Sequence, residues 1–113
     1  MKEKNIKILN KKIAEIKKKI VNIGDLRPGS LSEQYYVCGK SNCKCKDKKK
    51  PEKHGPYYQL SFYMGEGKHS TAFIKKENVK IIKNEIKNYK LIKNFFDQLI
   101  KLSIELSSLK LKN

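Results

Sequence analysis

The residues of this chain that could do chemistry are concentrated in one short segment. All three cysteines, Cys38, Cys43 and Cys45, fall within eight residues, and His54 follows nine positions after the last of them. Three thiolates and one imidazole make a complete tetrahedral shell for Zn²⁺. The spacing Cys-x4-Cys-x-Cys-x8-His therefore predicts one structural zinc site, with Cys43 and Cys45 on a knuckle and His54 as the fourth ligand.

Other arrangements of the same residues stay open. His69 could replace His54 as the fourth ligand, or the three thiols could be free. A nucleophilic cysteine with His54 as its base and Glu33 or Asp25 as the orienting carboxylate is a further option, but nothing in the spacing specifies it. A closed four-ligand zinc site has no open position for a substrate. We therefore expect a protein that is not an enzyme.

The positive charge of the chain predicts a polyanionic partner, most simply DNA or RNA. The 113 residues carry 27 Lys and Arg against 11 Asp and Glu, a net charge of +16. Only one of these cations is Arg, the side chain that best reads guanine, so specific base reading is less expected. Because lysine is here accompanied by 13 Ile and 9 Asn, an A+T-rich genome could also account for part of the charge. Arg27, with outward-facing tyrosines, would supply any selectivity, and the candidate phosphate contacts are Lys40, Lys44, Lys46, Lys48, Lys49, Lys50 and Lys53.

Aromatic pairs add a second possible contact with nucleic acid. Neighbouring residues of a strand point to opposite faces, so Tyr35-Tyr36 and Tyr57-Tyr58 should each place one ring in the core and one outside. An outward ring could stack on an unpaired base, and Tyr58 is our candidate for that contact. The alternative is that a small sheet simply needs large side chains.

Two helices frame this central region. In residues 2–23, apolar side chains recur at alternating spacings of three and four, which predicts an amphipathic helix with lysines on its other faces. A similar stripe runs through residues 76–111 without Gly or Pro and predicts one long helix that pairs with the first. The first stripe is Ile6, Leu9, Ile13, Ile16, Ile20 and Ile23. The second is Val79, Ile82, Ile86, Tyr89, Ile92, Phe96, Leu99, Leu102, Leu106 and Leu109, and it is widened by Leu91, Phe95, Ile100 and Leu111.

Between the helices the sequence predicts a zinc-knuckle segment over residues 26–58 and a β-hairpin over residues 57–74, with its turn at Gly65-Glu66-Gly67-Lys68. An additional strand at Glu33–Val37 would complete a three-stranded antiparallel sheet, since a hairpin alone is marginal. The expected fold class is α+β, as a single domain over residues 1–113.

The same residues resemble a family of short prokaryotic proteins of unknown function. The resemblance covers roughly residues 26–95 and is carried by Leu26-Arg27-Pro28-Gly29-Ser30-Leu31, Cys38-Gly39-Lys40-x-x-Cys43-x-Cys45 and His54-Gly55-Pro56-Tyr57-Tyr58. Members of that family tend to occur beside transposases and other mobile-element genes. The resemblance implies that Cys38, Cys43, Cys45 and His54 act as one unit, and it supplies no activity. The long lysine insert between Cys45 and His54 departs from the family pattern.

These observations favour a small zinc-binding protein that contacts DNA or RNA as an accessory or regulatory factor of a mobile element. The alternative is a helical protein-interaction module, dimeric or an inhibitor of a host defence complex, with a purely structural zinc site. The odd number of cysteines favours reduced thiols, and no apolar run is long enough for a membrane span. We therefore expect a cytoplasmic protein.

Overall fold

The computed structural model describes residues 1–36 and 54–111. Within them the chain forms two long helices, a three-stranded sheet and one short 3-10 turn, which confirms the α+β class. The elements are α1 Lys2–Val21, β1 Ser30–Tyr36, β2 His54–Gly65, β3 Lys68–Ile74, a 3-10 turn at Lys76–Asn78 and α2 Val79–Lys110. They divide into two compact units, Met1–Leu26 with Lys87–Asn113, and Arg27–Ile86. The prediction of one domain over residues 1–113 stays a prediction.

The helical unit is built by α1 and the later part of α2. Leu9, Ile13 and Ile16, which are central members of the predicted α1 stripe, are its buried apolar residues. Leu9 borders the same groove as Leu109, whereas Ile16 borders a groove with Leu102. Contacts at the start of α1 therefore fall near the end of α2, which confirms the antiparallel pairing of the two helices.

The sheet unit has the strand order β1-β2-β3, and both pairs of neighbours are antiparallel. Its core is centred on Leu60 of the middle strand, which is completely buried, together with Ile82 and Ile86 of α2. These side chains make a core because strand residues of one face meet an apolar helix stripe. The partly buried residues packed against them are Leu31, Phe62 and Ile74.

Several boundaries differ from those predicted. The first helix ends at Val21 rather than at residue 23, because the N–H of Ile23 donates to the carbonyl of Ile20 three residues back, whereas that of Asn22 still donates to Lys18. The first strand begins at Ser30 rather than at Glu33, because Leu31 already packs against the core of the sheet unit. The hairpin's first strand starts at His54 rather than at residue 57, because it also pairs with β1.

The second helix departs from its predicted stripe at Phe96 and at three of the residues expected to widen that stripe, because Leu91, Ile100 and Leu111 are 41%, 55% and 62% exposed. Phe95 is half-buried, while Phe96, which the stripe included, is 46% exposed. The difference follows from helix geometry, because Ile92, Phe95 and Leu99 already satisfy the spacing of three and four along the covered face. Across the described residues, neither helix combines the length and the apolarity needed to cross a membrane.

Candidate functional site

The sheet has one face packed on its core and one face open to solvent. Because side chains alternate along a strand, Leu60 and its partners Leu31 and Ala72 share the core face. The opposite face carries aromatic rings with large exposed areas, at 76% for Phe73, 49% for Tyr63 and 39% for Tyr57. Rings left in water on a small sheet are available for contact with a partner.

The open face combines these rings with hydrogen-bonding side chains. The Gln34 side chain donates from Nε2 to Oε1 of Gln59, 2.5 Å away on the neighbouring strand. Tyr63 is held at the far end, where its hydroxyl accepts the backbone N–H of Gly67 at 2.9 Å and its ring centroid lies 5.1 Å from that of His69. The face therefore presents a fixed surface with both apolar and polar groups.

A groove at one end of the sheet brings aromatic and basic side chains together. We call it the sheet-end groove. Tyr57 and Phe73 both line this groove, as do Lys75 and Lys76, which follow directly after β3. A ring can stack on a base while an ammonium group binds phosphate, so this combination suits a nucleotide. The residues that line the groove are Pro56, Tyr57, Tyr58, Phe73, Ile74, Lys75, Lys76 and Glu77.

The same end of the sheet receives both ends of the cysteine- and lysine-rich segment 37–53. In the register of β1 and β2, Tyr36 lies opposite His54, and Tyr58 lies opposite Ile74. Residues 37–53, with all three cysteines and seven lysines, therefore connect to the fold beside the sheet-end groove. Directly paired strand residues have Cα atoms about 4.5–5.5 Å apart. The last residue of β1, from which the sequence continues to Cys38, is therefore next to the candidate ligand His54.

The predicted metal site falls mostly outside the described residues. Cys38, Cys43 and Cys45 lie outside them, and among the residues that the structure does describe there is no group of three or more potential metal ligands. His54 is half-buried at the start of β2. The fallback ligand His69 pairs with Tyr63, nine residues further along β2. Nine strand residues span about 30 Å, so this separation favours His54 over His69 as a partner for the cysteines.

The predicted nucleic-acid contacts have different positions in the fold. Tyr58 is half-buried on the Leu60 face, so its neighbour Tyr57 is the ring of this pair that faces solvent. The guanidinium of Arg27 lies 4.9 Å from the centre of the Phe62 ring, and its Nε is buried without a hydrogen-bond partner. Arg27 therefore packs within the sheet unit. The candidate lysines, which lie outside the described residues, are Lys40, Lys44, Lys46, Lys48, Lys49, Lys50 and Lys53.

Phe73 is the residue of this site that the sequence reasoning missed. The sequence did contain a signal for it. Along β3, one alternating series of residues is His69, Thr71 and Phe73, and the other contains smaller or core residues. Pairing of Phe73 with Gln59 assigns that series to the open face. The sequence alone does not reveal which of the two alternating series of a short strand faces the core. For this reason the exposure of Phe73 on the open face was not predicted.

Comparison with known proteins gives one family. No curated protein and no solved structure matches the chain. The profile of an uncharacterised family matches residues 6–84, which is more than half of the chain and includes most of α1, the three strands and the cysteine segment. The chain therefore belongs to the family described as "Domain of unknown function (DUF6788)".

Proposed function

We propose that this protein is a small zinc-binding module that binds nucleic acid and has no catalytic role. The observation that carries the proposal is the sheet-end groove, which is lined by two aromatic and two basic residues, Tyr57, Phe73, Lys75 and Lys76. An aromatic ring provides a stacking surface for any base, and lysine provides a charge for the backbone. The net charge of +16 supports the same class of partner.

The groove favours unpaired nucleotides over an intact duplex. A ring can stack on a base only when the face of that base is accessible, and in a duplex both faces are covered by neighbouring base pairs. Phe73 is 76% exposed on a rigid antiparallel strand, so it can meet a base without rearrangement of the sheet. We infer that the lysines of segment 37–53 bind the flanking phosphates, because this segment joins the sheet beside the groove.

Zinc would act as a structural clamp in this proposal. Cys38, Cys43, Cys45 and His54 supply the ligand types of a closed zinc site. Tyr36 lies opposite His54, and Cys38 follows Tyr36 by two residues in the sequence. This position beside the proposed fourth ligand supports the arrangement. A bound zinc would restrict segment 37–53 and so hold its lysines near the groove. The reduced thiols that this site needs fit a cytoplasmic location.

In the cell we propose an accessory or regulatory role for a mobile genetic element. The support is the resemblance of the Cys-Gly-Lys-x-x-Cys-x-Cys and His-Gly-Pro-Tyr motifs to proteins found beside transposase genes. A protein that holds single strands without reading their sequence would suit a process that exposes unpaired ends. The presence of one Arg among 27 cations agrees with contacts that are made mainly to the backbone.

Binding of fluorescent oligonucleotides tests the proposal. We expect the protein to bind a single strand more tightly than the duplex of the same sequence, as measured by fluorescence anisotropy. Phe73→Ala should weaken single-strand binding about 5- to 100-fold, the usual effect of removing one stacking ring. Met64→Ala is the matched control, because Met64 is 65% exposed on the same strand pair but lies near the turn. The Met64→Ala protein should bind the single strand as tightly as the unsubstituted protein does.

Three results would contradict the proposal. Absence of binding at low salt would remove the nucleic acid as partner. Equal affinity of the Phe73→Ala and Met64→Ala proteins would show that the groove is not the binding site. Tighter binding to duplex than to single strand would exclude the stacking mechanism. Circular dichroism of each variant would establish that the exposed substitution has left the fold unchanged.

A further inference from the structure

The C-terminal half of α2 has a second apolar face that no part of the described chain covers. Phe96, Ile100 and Ile104 are exposed by 46%, 55% and 61%. At 100° per residue they lie within an arc of about 80° of the helix surface. We call this the outer α2 face. It is distinct from the stripe that pairs with α1, whose members Leu99, Leu102 and Leu106 are half-buried.

The charge of this region sets it apart from the rest of the two helices. Residues 94–109 contain only Lys101, Asp97 and Glu105 as charged groups, a net charge of −1. By contrast, α1 carries a net charge of +6, and residues 79–93 of α2 carry +4. Two copies of a chain with a net charge of +16 repel each other, so they can approach most closely where lysine is scarce.

The outer α2 face is also complementary to itself. Phe96, Ile100 and Ile104 are spaced by four and form a ridge along the helix. The adjacent row contains the small residues Ser103 and Ser107, which leave a groove beside the ridge. The ridge of one copy can pack into the groove of a second copy, and a twofold axis repeats the contact.

We propose that the outer α2 face is the contact surface of a homodimer. The exposed parts of its three apolar side chains amount to about 300 Å² per copy, at the lower end of the range of patches on soluble proteins that often serve a function. Pairing two such faces covers about 600 Å² of apolar surface, which falls below the area of about 1,200 Å² at which stable specific interfaces begin. The dimer is therefore weak and depends on protein concentration. This inference does not rest on nucleic-acid binding.

Sedimentation of the full chain tests the dimer. The protein should be treated with nuclease and measured at high salt over a hundredfold range of concentration. High salt removes bridging by nucleic acid but preserves apolar association. The mass should rise from that of a monomer, 13.2 kDa, toward twice that value as concentration increases. A protein that stays monomeric throughout would overturn the proposal and leave the face to a different protein partner.

Two matched substitutions locate the contact. Ile100→Glu should raise the dissociation constant at least about 100-fold, since each dimer loses two buried isoleucines. Ile81→Glu is the control, because Ile81 is 58% exposed on the same helix but lies outside the outer α2 face. It should leave the dimer intact. Equal effects of the two substitutions, or a dimer unchanged by Ile100→Glu, would show that this face is not the contact.

A mixing experiment separates loss of contact from loss of fold. Ile100→Glu and Ile100→Lys proteins should each be monomeric alone, whereas their mixture should regain dimers, because opposite charges then meet near the twofold axis. A mixture that stays monomeric would contradict the twofold arrangement. If either variant loses its helical circular dichroism, Ile104→Gln tests the same face with a smaller change, and it should also weaken the dimer.

Discussion

Gly29 shows how a single residue sets the packing of the sheet unit. Its φ of +146° belongs to the region that favours glycine. A Cβ at this position would lie 2.7 Å from Cδ1 of Leu60 and 3.1 Å from the carbonyl oxygen of Ser61. The absence of a side chain therefore lets the chain before β1 lie directly on the middle strand, against the most buried residue of the core.

We predict that Gly29→Ala destabilises the protein by about 2–4 kcal/mol, because it combines backbone strain with overpacking against Leu60. Urea unfolding followed by circular dichroism measures the change in the free energy of unfolding. Gly24→Ala is the matched control, since a Cβ there would meet only Nδ2 of Asn88 at an ordinary 3.6 Å. An equal loss of stability in both variants would contradict the argument.

Adjacent tyrosines illustrate why residue type alone does not assign a role. Tyr57 and Tyr58 have the same chemistry and sit side by side, yet one is exposed and the other half-buried. The pairing of Tyr58 with Ile74 places Tyr58 on the core face, and alternation then directs Tyr57 outward. Any test of stacking by this pair should therefore substitute Tyr57.

At the scale of elements, β2 organises the candidate site. It is the central strand, and it pairs with β1 from His54 to Ser61 and with β3 from Tyr58 to Gly65. Its first residues therefore lie next to three features at once: the end of β1, the end of β3 and the segment 37–53. The sheet-end groove is located where these elements meet.

Segment 37–53 should dominate the electrostatics of binding. We predict that replacing its seven lysines with glutamine weakens single-strand binding at least about 100-fold and lowers the slope of log affinity against log salt by several units. The control is a variant with seven of the eight α1 lysines replaced by glutamine, which has the same net charge. If the two variants show the same loss of affinity for the single strand, the net charge of the protein, rather than this segment, attracts the nucleic acid.

At the scale of the whole molecule, the apolar core is small. In the described part of the chain, the buried apolar side chains are three in the helical unit and three in the sheet unit, and of these only Leu60 is fully buried. A chain of this length buries little surface, so an additional constraint adds substantially to its stability. A zinc ion held by Cys38, Cys43, Cys45 and His54 would connect the ends of two strands of the sheet unit.

We predict one zinc per chain and three thiols that react only after chelation. Removal of the metal should lower the melting temperature by about 10 °C or more, because metal binding energy contributes to folding. Metal analysis, thiol titration and thermal unfolding with and without chelator give the three readings. Metal-free protein with freely reactive thiols and an unchanged melting temperature would refute the zinc site.

The two helices and the hairpin could be predicted from the sequence because their signals are local. Apolar residues at spacings of three and four reflect the turn of a helix, and Gly65 to Lys68 reflect a tight turn between strands. The ends of these elements were less predictable, as the earlier start of β1 at Ser30 and of β2 at His54 shows. Both strands extend because they pair with each other across a long separation in sequence.

The sequence by itself determined the ligand types, the charge and the amphipathic helices of this protein, since each follows from residue identity and short-range spacing. Tertiary structure decided which rings face solvent, that Arg27 packs over Phe62, and that Phe96 rather than Phe95 is left exposed. It also set the strand register that places Phe73 and Tyr57 on the same open face of the hairpin and in one groove. The physical reason is that strand register and helix pairing are set by contacts between distant segments, which local patterns do not contain.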